Sequence, residues 1–405
     1  LPIWDAEGRL GVRAMTDLSK YYDLLILCAR ANEVPSPFGS TLPGMLREGR
    51  GVRVYDSLRQ AADALPAWEP LPHLAEIHDL APLIYTHLMA AKIPIPEDIE
   101  RELRARAMQH THANRIRARA LTQILALCGE EGIDLLVLKG MALAHLVYPR
   151  PGLRPMSDID LLVSASAAER GQALLAELGF RPVNTSGPPS PHHKPIVYRR
   201  VDGVDVYVEL HHNLNRRLPP ETSFEVLRPT ARQITVNDLL AYTPSFEDLL
   251  AHTYHHMVGA PFQSFRLIWL ADMVSLVERF GDEIDWKRLP LRVSNALAAV
   301  NWLTPFRLPA SKRVSLYSEL LPYQKAVQLH GWPFAVTPAQ DETEYRRNIP
   351  KAFFPSSWWL RVYYGLSLDR WLLDVRVRHY LHLFWWVLQF RSPAHIVRRM
   401  KEYLT

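Results

Sequence analysis

Two neighbouring stretches decide the fold of this chain: Leu135-Leu136-Val137-Leu138-Lys139-Gly140-Met141 and Arg154-Pro155-Met156-Ser157-Asp158-Ile159-Asp160-Leu161-Leu162-Val163. The first is an apolar run that meets a glycine, which predicts a buried strand entering a helix. The second predicts another strand, on which Asp158 and Asp160 share one face while Ile159 and Leu161 turn into the core. Two carboxylates this close repel each other, which predicts a bound cation, most commonly Mg²⁺.

A third carboxylate follows on a predicted hairpin. Residues 196–200 and 204–210 are two apolar runs separated by Asp202-Gly203, a dipeptide that favours a tight turn. In the second run the alternation places Glu209 and His211 on the polar face. Asp158, Asp160 and Glu209 are therefore the predicted catalytic and metal-binding carboxylates, a set that suits two magnesium ions and nucleotidyl transfer. Glu209 either completes the metal site or accepts a proton. His211 either makes a hydrogen bond that supports a metal ligand, the favoured interpretation, or orients the acceptor.

The glycine between strand and helix predicts a phosphate-binding turn. Glycine allows close approach to the backbone, and the amides at the start of the helix predicted for residues 142–148 are electropositive. We assign five residues to nucleotide binding: Lys139, Gly140, Met141, Arg154 and Ser157. Two alternatives stay open, because Gly140 would also serve a tight turn alone and Arg154 would also pair with a carboxylate.

These motifs resemble those of the uncharacterised bacterial nucleotidyltransferase family within the DNA polymerase beta superfamily. The resemblance spans about residues 15–300, is specific from Leu138 to Leu143 and from Arg154 to Val163, and is weaker at Glu209-Leu210-His211 and at residues 266–272. It implies an α+β fold with a polymerase-beta-like core, in which a small mixed sheet is flanked by helices. It also implies magnesium dependence and transfer of a nucleoside monophosphate from a nucleoside triphosphate (NTP).

The same resemblance suggests a role for each matching residue. Asp158 and Asp160 match the metal-binding pair, Glu209 the third carboxylate, and Gly140 the glycine of the phosphate loop. Met141 departs from the pattern, since the wider superfamily usually has serine or a second glycine there. Lys139 or the backbone amides would then replace the missing hydroxyl contact.

The chain is expected to contain four regions: a helical N-terminal region (1–130), the nucleotidyltransferase core (131–236), a helical subdomain (237–330) and an aromatic, basic helical tail (331–405). Five arginines at positions 104, 106, 115, 117 and 119 form either a solvated or a substrate-facing surface on the long helix that is predicted to begin near Glu97. The tail forms either an aromatic core, the favoured interpretation, or a peripheral contact with a membrane or acceptor.

Composition limits the partners and the compartment. A net charge of +5 suits a polyanionic substrate, but the chain has no strongly basic track for a nucleic acid template. Cys28 and Cys128 both fall in apolar helical segments, so neither a disulfide scaffold nor a cysteine metal site is expected. We find neither a membrane span nor a secretory signal and therefore expect a cytoplasmic protein.

Two functional hypotheses follow. The first is a magnesium-dependent nucleotidyltransferase that modifies a hydroxyl of an unidentified small-molecule, glycan, peptide or protein acceptor. The second, suggested by Met141, is a catalytically silent nucleotide-binding or scaffold protein that retains the fold.

Overall fold

The computed structural model describes residues 18–31, 54–183, 190–215, 220–258, 266–304, 306, 355, 357–366 and 373–388. The chain divides into two compact units. One comprises Leu1–Thr253 and Leu267–Arg288, and the other comprises Tyr254–Arg266 and Leu289–Thr405. All of the predicted site residues belong to the first unit, and the division into four regions stays a prediction.

Thirteen α-helices lie in the described part of the chain. They are α1 (Leu18–Cys28), α2 (Val54–Asp63), α3 (Leu71–Ile77), α4 (Ala81–Ala90), α5 (Glu97–Glu130), α6 (Lys139–Leu146), α7 (Ala168–Glu177), α8 (Phe224–Leu227), α9 (Phe246–Met257), α10 (Leu267–Phe280), α11 (Leu291–Leu303), α12 (Ser357–Tyr364) and α13 (Leu373–Leu388). The prediction that the N-terminal third is helical is confirmed for its described residues. Helix α5 spans 34 residues and begins directly after Pro96, as its sequence indicates.

Seven strands form two sheets in the described residues. They are β1 (Leu135–Val137), β2 (Asp158–Val163), β3 (Arg181–Pro182), β4 (Val197–Val201), β5 (Val204–His211), β6 (Arg232–Val236) and β7 (Leu239–Thr243). The five-stranded sheet has the order β1-β2-β5-β4-β3, in which only β2 and β5 are parallel. The predicted α+β fold with a small mixed sheet is confirmed. The hairpin between β4 and β5 turns at Asp202 and Gly203, both at positive φ.

Helices α5 and α7 bury one face of the five-stranded sheet. Their contact with it contains Ile116, Leu121 and Ile124 of α5, Leu174 and Leu175 of α7, and the strand residues Ile159, Leu161, Val206, Val208 and Leu210. Because alternate strand residues point to opposite faces, Asp158, Asp160 and Glu209 lie on the face away from α5. Burial of the apolar face thus determines on which face of the sheet the carboxylates lie.

Two predicted elements are corrected. The helical region predicted from residue 237 begins instead with β7, which pairs with β6 across Asn237 and Asp238. Both of these turn residues have positive φ, a conformation that Asn and Asp tolerate better than most residues and that tight hairpins require. The helix predicted for residues 142–148 begins three residues earlier, at Lys139, so the predicted phosphate-binding residues form its first turn.

The aromatic tail is described in α12 and α13. Both helices have a buried side, formed by Trp359, Leu360, Val375 and Leu383. Helix α13 also exposes apolar side chains, namely Leu373, Val377, Leu381 and Phe384. Within the described residues, no helix is long and apolar enough to cross a membrane. Part of the tail is therefore buried, whereas an aromatic core and a contact with a membrane or acceptor both stay predictions.

A buried ion pair fixes the loop that leads into β2. The Arg154 guanidinium donates from Nε to Asp272 Oδ1 at 3.2 Å and from Nη2 to Oδ2 at 2.6 Å. The Tyr148 hydroxyl donates to the same Oδ1 at 2.7 Å. Burial lowers the pKa of Arg154, but the adjacent Asp272 carboxylate outweighs this and raises it. Since Asp272 lies on α10, the pair joins this helix to the loop before the two aspartates.

We expect Arg154→Met to lower the free energy of unfolding by about 3 to 5 kcal/mol, because it leaves Asp272 buried without its counter-ion. Urea unfolding followed by circular dichroism measures the change. The matched control is Arg119→Met, which breaks an exposed pair with Asp202 at 2.8 Å and should cost less than about 1 kcal/mol. Equal losses in the two variants would contradict the structural importance of the buried pair.

Candidate active site

The parallel pairing of β2 with β5 brings the predicted carboxylates together. Asp160 is the register partner of Glu209, and Asp158 is the partner of Tyr207 one step earlier on the same face. Asp160 is 2% exposed, whereas the Glu209 side chain is 20% exposed. The cluster therefore has a buried end at Asp160 and a more accessible side at Glu209.

His211 bridges the two carboxylates. Its Nε2 lies 2.9 Å from Asp160 Oδ1 and 3.4 Å from Glu209 Oε2, and its side chain is 4% exposed. Burial lowers the pKa of His211, but the bonds to both carboxylates outweigh this and raise it. His211 thus makes the hydrogen bonds that a supporting role requires, and the role itself stays a prediction.

Lys139 supplies a positive charge at the cluster. Its Nζ donates to Asp160 Oδ1 at 2.7 Å, and its backbone φ of +46° is in the left-handed region. Lys139, Gly140 and Met141 form the first turn of α6, and amides in a first turn have no acceptor within their own helix. The backbone needed for the predicted phosphate contact is therefore present beside the carboxylates.

The other predicted nucleotide-binding residues differ in their placement. Ser157 is exposed and directly precedes β2, whereas the Met141 side chain lies in the hydrophobic core. A phosphate contact from Met141 would therefore have to come from its backbone amide. Of the two roles left open for Arg154, the structure shows pairing with a carboxylate, and a phosphate contact would require that pair to open.

Gly140 packs against Arg154. A Cβ at position 140 would lie 2.8 Å from Arg154 Nη1 and 3.2 Å from Met156 Cβ. The guanidinium is held by Asp272 and by the Pro155 carbonyl, so it has little freedom to move away. The glycine thus has a packing role in addition to the predicted phosphate contact.

The three carboxylates have different pKa values because their neighbours differ. Burial and the nearby Asp160 raise the pKa of Asp158 to about 6. Burial also raises the pKa of Asp160, but Lys139 and His211 outweigh it and hold the pKa well below its usual range. For Glu209 the bond from His211 outweighs burial, and its pKa is lowered. Asp158 is therefore the carboxylate whose negative charge is least compensated by the protein.

The donor set fits a divalent cation. Ligand atoms from Asp160, Glu209 and His211 all lie within 4.8 Å of one another. Carboxylate oxygens suit Mg²⁺ and Mn²⁺, and imidazole is a common ligand of transition metals. The predicted metal set contained Asp158, whereas this geometric group contains His211 in its place.

Family comparison agrees with the motifs in this site. A family model described as "Uncharacterised nucleotidyltransferase" matches residues 65–302, more than half of the chain. The chain belongs to this nucleotidyltransferase family. The matched region includes the carboxylates, Lys139 and Asp272. No curated protein matches the chain.

Solved nucleotidyltransferase structures match smaller parts of the chain. The antibiotic-resistance factor ANT(2'')-Ia is 15% identical, with 41% of this chain and 85% of that chain covered and a TM-score of 0.31. An antigenic nucleotidyltransferase-like protein from Paracoccidioides brasiliensis is 17% identical, with 51% and 94% covered and a TM-score of 0.34. The lincosamide antibiotic adenylyltransferase LnuA is 17% identical, with 39% and 94% covered and a TM-score of 0.27. Similarities this low give no information about the substrate.

Residues of α5 support the nucleotidyltransferase site in a way that the sequence did not predict. Asn114 Nδ2 donates to the carbonyls of Pro151 and Arg154, at 2.9 and 2.8 Å. Arg117 is buried, and its Nε donates to the Ser157 carbonyl at 3.3 Å. Of the five arginines treated as one surface, Arg117 therefore holds the loop before Asp158. Its spacing of three from Asn114 was the only available sign that both face this loop.

A pair of histidines was also missed. The rings of His192 and His193 lie with their centroids 5.7 and 5.3 Å from that of His211. They belong to the loop after residue 190, where Lys194 N donates to the Leu210 carbonyl at 2.8 Å. The described part of this loop therefore lies beside the carboxylates.

The raised pKa of Asp158 predicts how Asp158→Asn affects stability in metal-free protein. Folded Asp158 binds its proton more tightly than unfolded Asp158, whose pKa is 3.8, so this group costs stability as the pH rises from about 4 to about 6. We expect Asp158→Asn to raise the free energy of unfolding by about 1 to 3 kcal/mol at pH 8 and to change it little at pH 4.

Urea unfolding in the presence of a chelator, at both pH values, tests this expectation. Asp282→Asn, which changes an exposed carboxylate, serves as the control. A variant that is less stable than the wild type at pH 8 would show that the charge of Asp158 is compensated in the folded protein.

Proposed function

We propose that this nucleotidyltransferase transfers a nucleoside monophosphate from an NTP to a hydroxyl of a small-molecule, glycan, peptide or protein acceptor, with divalent metal ions. One observation carries the proposal: Asp158 and Asp160 share a face of β2, and Asp160 is the register partner of Glu209 on β5. Membership of the nucleotidyltransferase family supports the reaction class. The acceptor, the metal and the nucleotide belong to the proposal.

The proposed reaction is a displacement at phosphorus. The acceptor oxygen forms a bond to the α-phosphorus, the bond from that phosphorus to the bridging oxygen breaks, and pyrophosphate leaves. The hydroxyl proton passes to a carboxylate, for which Glu209 is the candidate because its side chain is more exposed than that of Asp160. Asp158, Asp160 and Glu209 would hold Mg²⁺, which would neutralise the charge on the triphosphate.

The first turn of α6 is the proposed phosphate site. Amides of Lys139, Gly140 and Met141 have no acceptor within the helix, and the positive end of the helix dipole favours an anion. Ser157 is exposed, directly precedes β2, and is the proposed source of a hydroxyl contact to the phosphates. ATP is the first nucleotide to test, followed by the other three ribonucleoside triphosphates.

We expect Asp160→Asn and Glu209→Gln to reduce pyrophosphate release by roughly 100-fold or more, because each removes charge from the cluster. The assay combines each nucleotide, Mg²⁺ or Mn²⁺, and an acceptor library, with mass spectrometry to detect the added nucleoside monophosphate. Asp202→Asn is the matched control. It changes an exposed carboxylate in the same sheet, and asparagine tolerates the positive φ of this position. Its activity should equal that of the wild type.

Calorimetry added to this assay distinguishes the second hypothesis, a catalytically silent protein, from the first. Calorimetric binding of a nucleotide with Mg²⁺, without pyrophosphate release for any acceptor, would favour a catalytically silent nucleotide-binding protein. The absence of both binding and release would contradict both functions.

A further inference from the structure

Lys139 combines two features that seldom occur together. It is a lysine with left-handed backbone, φ +46°, at the first residue of a helix, and its side chain is only 19% exposed. Side chains other than glycine, asparagine and aspartate rarely adopt this conformation, and such strain is concentrated at functional sites. Lys92, which has a similar φ of +52°, lies exposed in a turn and illustrates the ordinary case.

The ammonium group of Lys139 contacts the buried end of the carboxylate cluster. It donates to Asp160 Oδ1 at 2.7 Å, and the same oxygen lies 2.9 Å from His211 Nε2. Asp158 and Glu209 also attract the Lys139 charge. The amine therefore pairs directly with Asp160 and attracts the other two carboxylates over a longer distance.

We propose that Lys139 is the resident cation of the carboxylate cluster in the metal-free protein, and that a divalent ion displaces its ammonium group from Asp160. A metal bound to this carboxylate and an ammonium 2.7 Å from its oxygen would repel each other at short range. The two cations therefore exchange. The inference rests on the proposed function, since the released amine would then be free to bind the phosphates of the nucleotide.

Metal binding and nucleotide binding are coupled by this exchange. Without a metal, Lys139 compensates the charge of Asp160 and is itself held away from a ligand. With a metal bound, the lysine is freed, and the first turn of α6 gains a positive side chain beside its amides. A lysine that simply oriented Asp160 as a metal ligand would give the opposite result, because its removal would weaken metal binding.

The test is a titration with Mn²⁺ alone, followed by electron paramagnetic resonance, on the full chain of the wild type and of Lys139→Asn. Asparagine tolerates the left-handed backbone, so the substitution removes the amine without adding strain. Lys92→Asn makes the same change at an exposed lysine with the same backbone conformation and is the matched control. Thermal unfolding confirms that each variant is folded.

We expect Lys139→Asn to bind Mn²⁺ at least tenfold more tightly than the wild type, and to bind ATP with Mn²⁺ at least tenfold more weakly. Lys92→Asn should match the wild type in both. Unchanged or weaker Mn²⁺ binding by Lys139→Asn would overturn the exchange. If the wild type still releases pyrophosphate in that case, the proposed function stands and only this inference fails.

A measurement on the unaltered protein provides an independent test. Exchange predicts that Mg²⁺ alone increases the rate at which an amine-reactive acetylating reagent modifies Lys139, measured by mass spectrometry of the peptide that contains it. Adding ATP should then protect the residue. Modification that is insensitive to Mg²⁺ would overturn the proposal even if Lys139→Asn could not be prepared in a folded form.

Discussion

The register between the parallel strands β2 and β5 is the constraint on which the site depends. It sets Asp160 opposite Glu209, and a slip of one residue would set Asp160 opposite Val208 or Leu210 instead. The register is held from the other side of the sheet, where Ile159 and Leu161 must be buried under α5 for the core to form. Burial of the apolar face therefore holds the carboxylates close together despite their mutual repulsion.

The protein compensates that repulsion unevenly. Lys139 and His211 both contact Asp160, which is the most buried of the three carboxylates, and His211 also reaches Glu209. Asp158 is left with a raised pKa. An uncompensated charge at this edge makes the cluster less stable but better suited to a divalent cation, since the ion would bring the charge that the protein does not supply.

The sequence predicted what depends on local pattern. Alternation along β2 and β5 was enough to place Asp158, Asp160 and Glu209 on a common face, and Asp202-Gly203 was enough to predict the hairpin turn. The contacts of Arg117, His193 and Asp272 with the site could not be predicted, because they join segments far apart in the chain. The β6–β7 hairpin had a local signal in Asn237-Asp238, although the composition of residues 237–330 as a whole favours helix.

Gly140 shows how the proposed phosphate site and the buried ion pair are joined. Its missing side chain leaves room for the Arg154 guanidinium, which Asp272 holds from α10. The preceding residue, Lys139, turns towards Asp160, so the first turn of α6 is positioned by a buried arginine on one side and a carboxylate on the other. Because Arg154 also begins the segment that leads into β2, α6 and the aspartates are held by the same contacts. A nucleotide bound at this turn would therefore meet amides and carboxylates whose relative positions are fixed before it arrives.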